Sequence, residues 1–426
     1  MRIVCGTEGY DFEGAGQREL DVFLYAATNS PERGSAGKNL PTDLRRERFV
    51  PEPLTWDLLS VALGVHSADL ASHRDESSDG WTREYSLSVA VTDSERWGAT
   101  TPLWNGLLNY LTTDRWNVSF LPGAITPRAH RERAYATEDS VVLLSGGLDS
   151  LIGAIDLNQQ NRQLLAVSQN VRGDGVKQAE FAAAIGTGLR HLQLSHTIYV
   201  PDAESPASQR SRSILFLAYG ILAATCTELY RDGGRVPLYI CENGLIALNP
   251  PLTENRIGSL STRTTHPVVL GLLQEILDRM SIRVSVENPY ATKTKGEMMV
   301  DCLNQTLLSE RAPQSTSCGR FKQFGYTHCG RCVPCLVRRA AFRRWGMADT
   351  TVYVFDDLSI DDPDYAGFDD VRSVLIAYAT FQELGISRWL GATLSSPRVT
   401  AKTLLREVAQ RGLTELRDLL IEMGVE

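Results

Sequence analysis

Between residues 136 and 310 short apolar runs alternate with amphipathic stretches, and this alternation constrains the chain more than any other feature. SVVLLS (140–145), QLLAVSQ (163–169), HTIYVP (196–201), PLYICEN (237–243) and IRVSVENP (282–289) read as strands. LDSLIGAIDLN (148–158), KQAEFAAAIGTGL (177–189), RSILFLAYGILAATCTELY (212–230) and HPVVLGLLQEILDRM (266–280) read as the helices between them. Strands apolar on both faces need helices on both sides of one parallel sheet. The expected class is therefore α/β, with a doubly wound parallel sheet.

The chain has 426 residues, enough for two or three domains. Residues 1–135 mix short strands with helices and are expected to form an α+β accessory or partner-docking domain. REYSLSVAV (83–91) alternates as a half-buried strand, LWNGLLNYLT (103–112) has helical spacing, and RERFVPEPLTW (46–56) reads as a connector. Residues 311–345 are polar and Cys-rich. Residues 346–426 are expected to be helical, and LLREVAQRGLTELRDLLIEM (404–423) carries an apolar stripe suited to helix packing. The balance of 43 basic against 51 acidic residues gives −8, so a general grip on nucleic acid is not expected. The start lacks a basic and apolar leader, and no apolar run is long enough to span a bilayer, which makes a cytoplasmic protein the expectation.

The sharpest local signal is Ser145-Gly146-Gly147-Leu148-Asp149-Ser150, which follows an apolar strand and opens a helix. Two glycines allow a sharp turn that brings backbone N–H groups toward an anion, and the helix start adds unpaired donors and a positive dipole end. Ser145 and Ser150 offer hydroxyls, while Asp149 can favour the dipole or help hold Mg2+. The Gly-Lys-Ser/Thr ending of a Walker loop and the G-x-G-x-x-G of a dinucleotide fold are both missing. SGGLDS resembles the pyrophosphate loop of the PP-loop ATP pyrophosphatases. That resemblance implies a HUP-type α/β fold and cleavage of ATP to AMP and pyrophosphate.

Cys318, Cys329, Cys332 and Cys335 have the spacing of a four-thiolate zinc knuckle with no open position, which is a structural site. An iron–sulfur cluster is the rival reading. His328 is adjacent but would be a fifth ligand. A PP-loop ahead of such a knuckle is similar to 7-cyano-7-deazaguanine synthase, QueC. Arg212 before Phe216-Leu217, the Lys295 and Glu297 of TKTKGEMM, and the CLVRR that ends the knuckle match that family in order, over roughly residues 138–345. Ser213, the loop SQNVRGDG, the segment CENGLIALNPP with RIGSLSTRTTHP, and the N-terminal region depart from it. Those departures resemble the QueC-like proteins of bacterial anti-phage defence, the QatC type of the Qat system above all.

The resemblance implies activation of a 7-deazaguanine carboxylate with ATP and its transfer to the N-terminus of a partner protein from the same operon. Ser145, Asp149, Ser150, Lys295 and Arg212 are the expected catalytic set, with Lys293 a weaker candidate. Ser145–Ser150 would hold the phosphates. Glu242 and Asn243, past a buried strand, would read the base. Ser168 would lie near adenine by fold analogy, and Arg263 and Arg256 could reach phosphate or substrate. His266 reads first as a helix-start residue. ATP, Mg2+ and Zn2+ are the expected cofactors. A nitrile-forming synthase using ammonia, a tRNA-modifying PP-loop enzyme and a nucleotide-binding scaffold are the other readings.

Overall fold

The computed structural model describes residues 1–12, 19–28, 30–171, 173–203, 211–253, 263–360 and 370–425. In chain order its strands are β1 (Arg2–Gly6), β2 (Glu19–Leu24), β3 (Gly34–Ala36), β4 (Glu84–Ala90), β5 (Arg115–Leu121), β6 (Ser140–Leu143), β7 (Leu164–Gln169), β8 (Arg190–Leu194), β9 (Ile198–Tyr199), β10 (Val236–Tyr239) and β11 (Val284–Glu287). They form two sheets, ordered β5-β4-β1-β2-β3-β9 and β11-β10-β6-β7-β8. In the second sheet every neighbouring pair is parallel, with Val141 opposite Leu165 and Leu238 opposite Val141. All four β6 residues and all six β7 residues are buried, as a doubly covered sheet requires. The α/β expectation for this half is met by a parallel sheet beside a four-cysteine cluster.

Several expectations need correction. The third strand of that sheet is Arg190–Leu194 and not HTIYVP. Ile198–Tyr199 instead pairs antiparallel with Ser35–Ala36 at the edge of the first sheet. The run expected as one helix over 212–230 ends at Ala224 and restarts at Glu228. Between the two, Thr225 and Thr227 hydroxyls turn back to carbonyls three residues earlier, competing with the helical ladder. Within residues 1–135, β1 to β5 pair with one another in parallel, and the helices Pro53–Ala71 and Thr101–Thr112 lie between β3 and β4 and between β4 and β5. The connector expected over 46–56 gives way at Pro53 to a helix, Pro53–Ala71. Its residues 55–69 are all buried, so no polar face marked it in the sequence. One hydrophobic cluster runs through that helix, Arg212–Ala224 and strands of both sheets.

The functional consequence lies in strand order. In the second sheet the winding reverses between β6 and β10, and their carboxyl ends face a common crevice. Ser145–Ser150 follow β6, and Glu242–Asn243 follow β10.

Candidate active site

The loop after β6 is shaped by its own hydroxyls. Ser145 Oγ and Ser150 Oγ are 3.0 Å apart, Ser150 Oγ donates to the Gly147 carbonyl at 3.0 Å, and Gly147 N–H donates to Ser145 Oγ at 3.2 Å. Gly146 has φ +86°, a left-handed conformation that only glycine adopts without strain. Gly147 caps the helix Leu148–Gln159 without any side-chain hydrogen bond. The first-turn N–H groups thus lack an internal cap, which is the geometry that receives an anion.

Asp149, in that first turn, is buried and sits at the centre of a charged cluster. Lys295 Nζ stands 2.8 Å from Oδ1, both side chains more than nine-tenths buried. Oδ2 accepts from Asn243 N–H at 3.1 Å and from Asn243 Nδ2 at 2.7 Å. Burial alone would raise the Asp149 carboxyl, but the Lys295 charge and the hydrogen bonds of its neighbours hold it below the usual carboxylate range. Glu242 adjoins Asp149. Asn243 serves twice, since its Oδ1 also caps the helix Gly244–Leu248 by accepting from Ile246 N–H at 3.1 Å. Lys295 opens the helix Lys295–Val300 behind Thr294, which forms a capping box with Glu297.

The knuckle abuts the same loop. The Cys318, Cys329, Cys332 and Cys335 Sγ atoms lie within 4.8 Å of one another, a donor set and spacing that fit Zn2+. Backbone N–H groups of Arg320 and Cys329 point at Cys318 Sγ, and that of Cys332 at Cys329 Sγ, each at 3.3 Å, which favours thiolates. His328 Nε2 accepts from Ser317 N–H at 3.1 Å and so is turned to the backbone. Buried Arg338 ties the knuckle helix Val333–Trp345 to Ser315 Oγ and the Ala312 carbonyl, both at 2.8 Å. Thr316, between Ser315 and Ser317, donates its N–H to the Gly146 carbonyl at 2.9 Å.

Lys177 is a cation the sequence reading did not single out. Its Nζ contacts Thr316 Oγ1 and lies 3.5 Å from Asp174 Oδ1, and the next residue, Gln178, donates from Nε2 to the Ser145 carbonyl at 3.2 Å. Burial pulls the Lys177 ammonium below its ordinary value, against the nearby Asp174 charge. A Lys in the stretch GDGVKQ gave no motif to find it by.

The other expected residues are placed as follows. Arg212 is largely buried at a helix start, and its pKa is lowered by burial against the pull of Asp174. Ser168 Oγ donates to the Leu144 carbonyl and meets His191 Nε2 at 2.8 Å, so it braces β6 on β7. Arg263 is committed to Tyr110, donating to its carbonyl at 3.1 Å and lying over its ring. His266 caps the helix Pro267–Arg279 through Nδ1 and meets Tyr110 Oη at 3.0 Å. Lys293 forms an exposed pair with Asp301. Arg256 lies outside the described residues. Both Asp149 oxygens are engaged, Oδ1 by Lys295 Nζ and Oδ2 by Asn243, with Glu242 beside them.

No protein-family model matches the chain. Its sequence is similar to 7-cyano-7-deazaguanine synthases over about half its length. The protein of that name from Agrobacterium fabrum is 26% identical over 250 residues, covering 53% of this chain and 93% of the relative. Those from Brucella anthropi and Rhizobium rhizogenes are 24% and 23% identical, over 50% and 53% of this chain and 93% of each relative. No helix among the described residues is long and apolar enough to cross a membrane.

Proposed function

We propose that this chain is an AMP-forming ligase with a HUP-type nucleotide fold that activates a 7-deazaguanine carboxylate with ATP. The observation that carries the reading is the uncapped helix start at Gly147 joined to the buried Lys295–Asp149–Asn243 cluster. A carboxylate oxygen attacks the α-phosphate of ATP, a P–O bond to the β-phosphate breaks, and acyl adenylate and pyrophosphate form. The backbone donors of Ser145–Ser150 receive the departing pyrophosphate, where developing charge meets fixed dipoles. Lys295, Arg212 and Lys177 surround that end with positive charge. An amine then attacks the acyl carbon, AMP leaves, and the amine gives up one proton as the amide forms. Glu242 answers the donor face of a deazaguanine ring, namely its ring N–H and exocyclic amine.

Asp149 would help hold Mg2+, which when bound neutralises phosphate charge. The four cysteines would hold Zn2+ in a closed site that supports the loop through Thr316 and takes no part in the chemistry. The proposed acceptor is the N-terminal amine of a partner protein in bacterial anti-phage defence, as in the QatC type. Ammonia, giving a free amide or nitrile, is the second acceptor to test. Incubation of the zinc-loaded chain with ATP and 7-carboxy-7-deazaguanine is expected to release AMP. Mass spectrometry of the mixture then reads the acceptor, as a heavier partner protein or a free amide or nitrile. Release of ADP, or AMP release independent of the acid, would refute the reading.

A further inference from the structure

The two expected catalytic cations, Arg212 and Lys295, share a local design that their motifs do not foreshadow. Each is the first residue of its helix, and the residue before each is a hydroxyl at the N-cap: Ser211 before Arg212, Thr294 before Lys295. An N-cap hydroxyl ordinarily serves the backbone of its own helix. Ser211 makes no such bond. Its buried Oγ donates instead to Asp69 Oδ2 at 2.5 Å and meets His66 Nδ1 at 3.0 Å, both on the helix Pro53–Ala71 of the N-terminal region. Thr294 Oγ1 accepts from Glu297 N–H, and donates its own proton to Glu415 Oε1 at 2.5 Å. Glu415 lies on the C-terminal helix Lys402–Glu422.

Both acceptors are buried carboxylates, and each is fixed by an arginine. Asp69 Oδ1 is 2.5 Å from Arg83 Nη2, which also meets Asp114 at 2.8 Å. Glu415 Oε1 is 2.8 Å from Arg344 Nη1. The hydroxyl–carboxylate–arginine arrangement is thus built twice, once from each region flanking the parallel β6–β11 sheet. Neither carboxylate belongs to an element that carries the phosphate loop. A buried carboxylate is costly unless hydrogen-bonded, so two such groups aimed at the two helix starts are unusual features for packing surfaces alone.

We infer that Asp69 and Glu415 are positioning residues: the N-terminal and C-terminal regions act as struts that hold Arg212 and Lys295 at the pyrophosphate end of the site. This rests on the reading of those two cations given under the proposed function. A charge-bearing side chain displaced by about 1 Å loses much of its preference for the leaving group. The role of the N-terminal region then includes completing the site from outside the sheet.

The test uses the full zinc-loaded chain and titrates pyrophosphate with Mg2+ by calorimetry, with thermal unfolding in parallel. Ser211→Ala and Glu415→Leu remove the proton donor or acceptor. Both are expected to weaken pyrophosphate about tenfold, near 1.4 kcal/mol, in the same direction as Arg212→Ala and Lys295→Ala. Ser211→Thr and Glu415→Gln keep a donor or acceptor and are expected to recover most of the affinity. Unchanged binding in Ser211→Ala and Glu415→Leu, beside losses in Arg212→Ala and Lys295→Ala, overturns the struts. Should one strut variant fail to fold, the other decides by the same comparison. Losses that the conservative variants do not recover mark a merely structural role and also overturn the inference. Losses in all four variants, from a chain that turns over no deazaguanine acid, support the struts and count only against the substrate. Unchanged binding in Arg212→Ala and Lys295→Ala refutes both the struts and the roles of the two cations.

Discussion

Replacing Lys295 with methionine strands the Asp149 carboxylate in a buried site, and the cost can be worked from the geometry. Breaking a buried ion pair by removing one partner typically costs about 3–5 kcal/mol. Here Oδ2 keeps both hydrogen bonds from Asn243, so the carboxylate is not wholly abandoned. It also has an escape, because it can take up a proton. From a reference pKa near 4, protonation costs about 4 kcal/mol at pH 7 but only about 1.5 kcal/mol at pH 5. The penalty cannot exceed that escape.

The sign follows from linkage. In the native chain the Asp149 carboxyl is held below its unfolded value, so its contribution is present above the unfolded pKa and is lost only as pH falls through the folded one. In Lys295→Met burial raises the carboxyl, so the penalty is largest at neutral pH and is relieved on acidification. Urea unfolding of both chains should show a gap of about 3 kcal/mol at pH 7 that shrinks to about 1.5 kcal/mol or less at pH 5. The double variant Lys295→Met with Asp149→Asn should recover most of the stability and release no pyrophosphate. A gap that stays constant with pH, or lies below about 1 kcal/mol at pH 7, would refute the claim of a buried, ionised pair.

Cys332→Ala should lose zinc and soluble yield together, since structural zinc binding is worth roughly 10–16 kcal/mol in small peptides. Any folded remainder should bind pyrophosphate weakly because Thr316 no longer braces Gly146; full zinc content and native yield would contradict this. Gly244→Ala places a Cβ 2.2 Å from the Ala291 carbonyl oxygen, so Asn243 must shift away from Asp149. It should cost about 1–3 kcal/mol by overpacking and lower pyrophosphate release with zinc retained, as metal analysis and a coupled assay can check. Arg263→Ala should leave AMP release within about threefold and lower the unfolding midpoint, because Arg263 is bound to Tyr110.

The parts of this account that were legible in the sequence are those written in local chemistry. SGGLDS announces its own turn because glycine and serine act over a few residues, and the strands at 140 and 164 stand out because they are apolar on both faces. The knuckle is legible because four thiols at that spacing suit one ion. What was not legible depends on partners far along the chain. The helix Pro53–Ala71 is buried on all sides, so it has no periodicity to read. Ile198–Tyr199 looked like a strand of the nearer sheet and pairs with Ser35–Ala36 of the other. Lys177 is brought to the loop through Thr316, and Asp69 and Glu415 reach the two helix starts through Ser211 and Thr294. The contact of Arg263 with Tyr110, 153 residues away in sequence, was likewise not legible.

Charging of an organic acid with a nucleotide at the turn after β6 leaves an oxygen trace. 7-Carboxy-7-deazaguanine labelled with 18O in its carboxylate is turned over with ATP and an amine, and the products are read by mass spectrometry. One labelled oxygen is expected in the phosphate of AMP and none in pyrophosphate. Label in inorganic phosphate, with ADP as co-product, would contradict it.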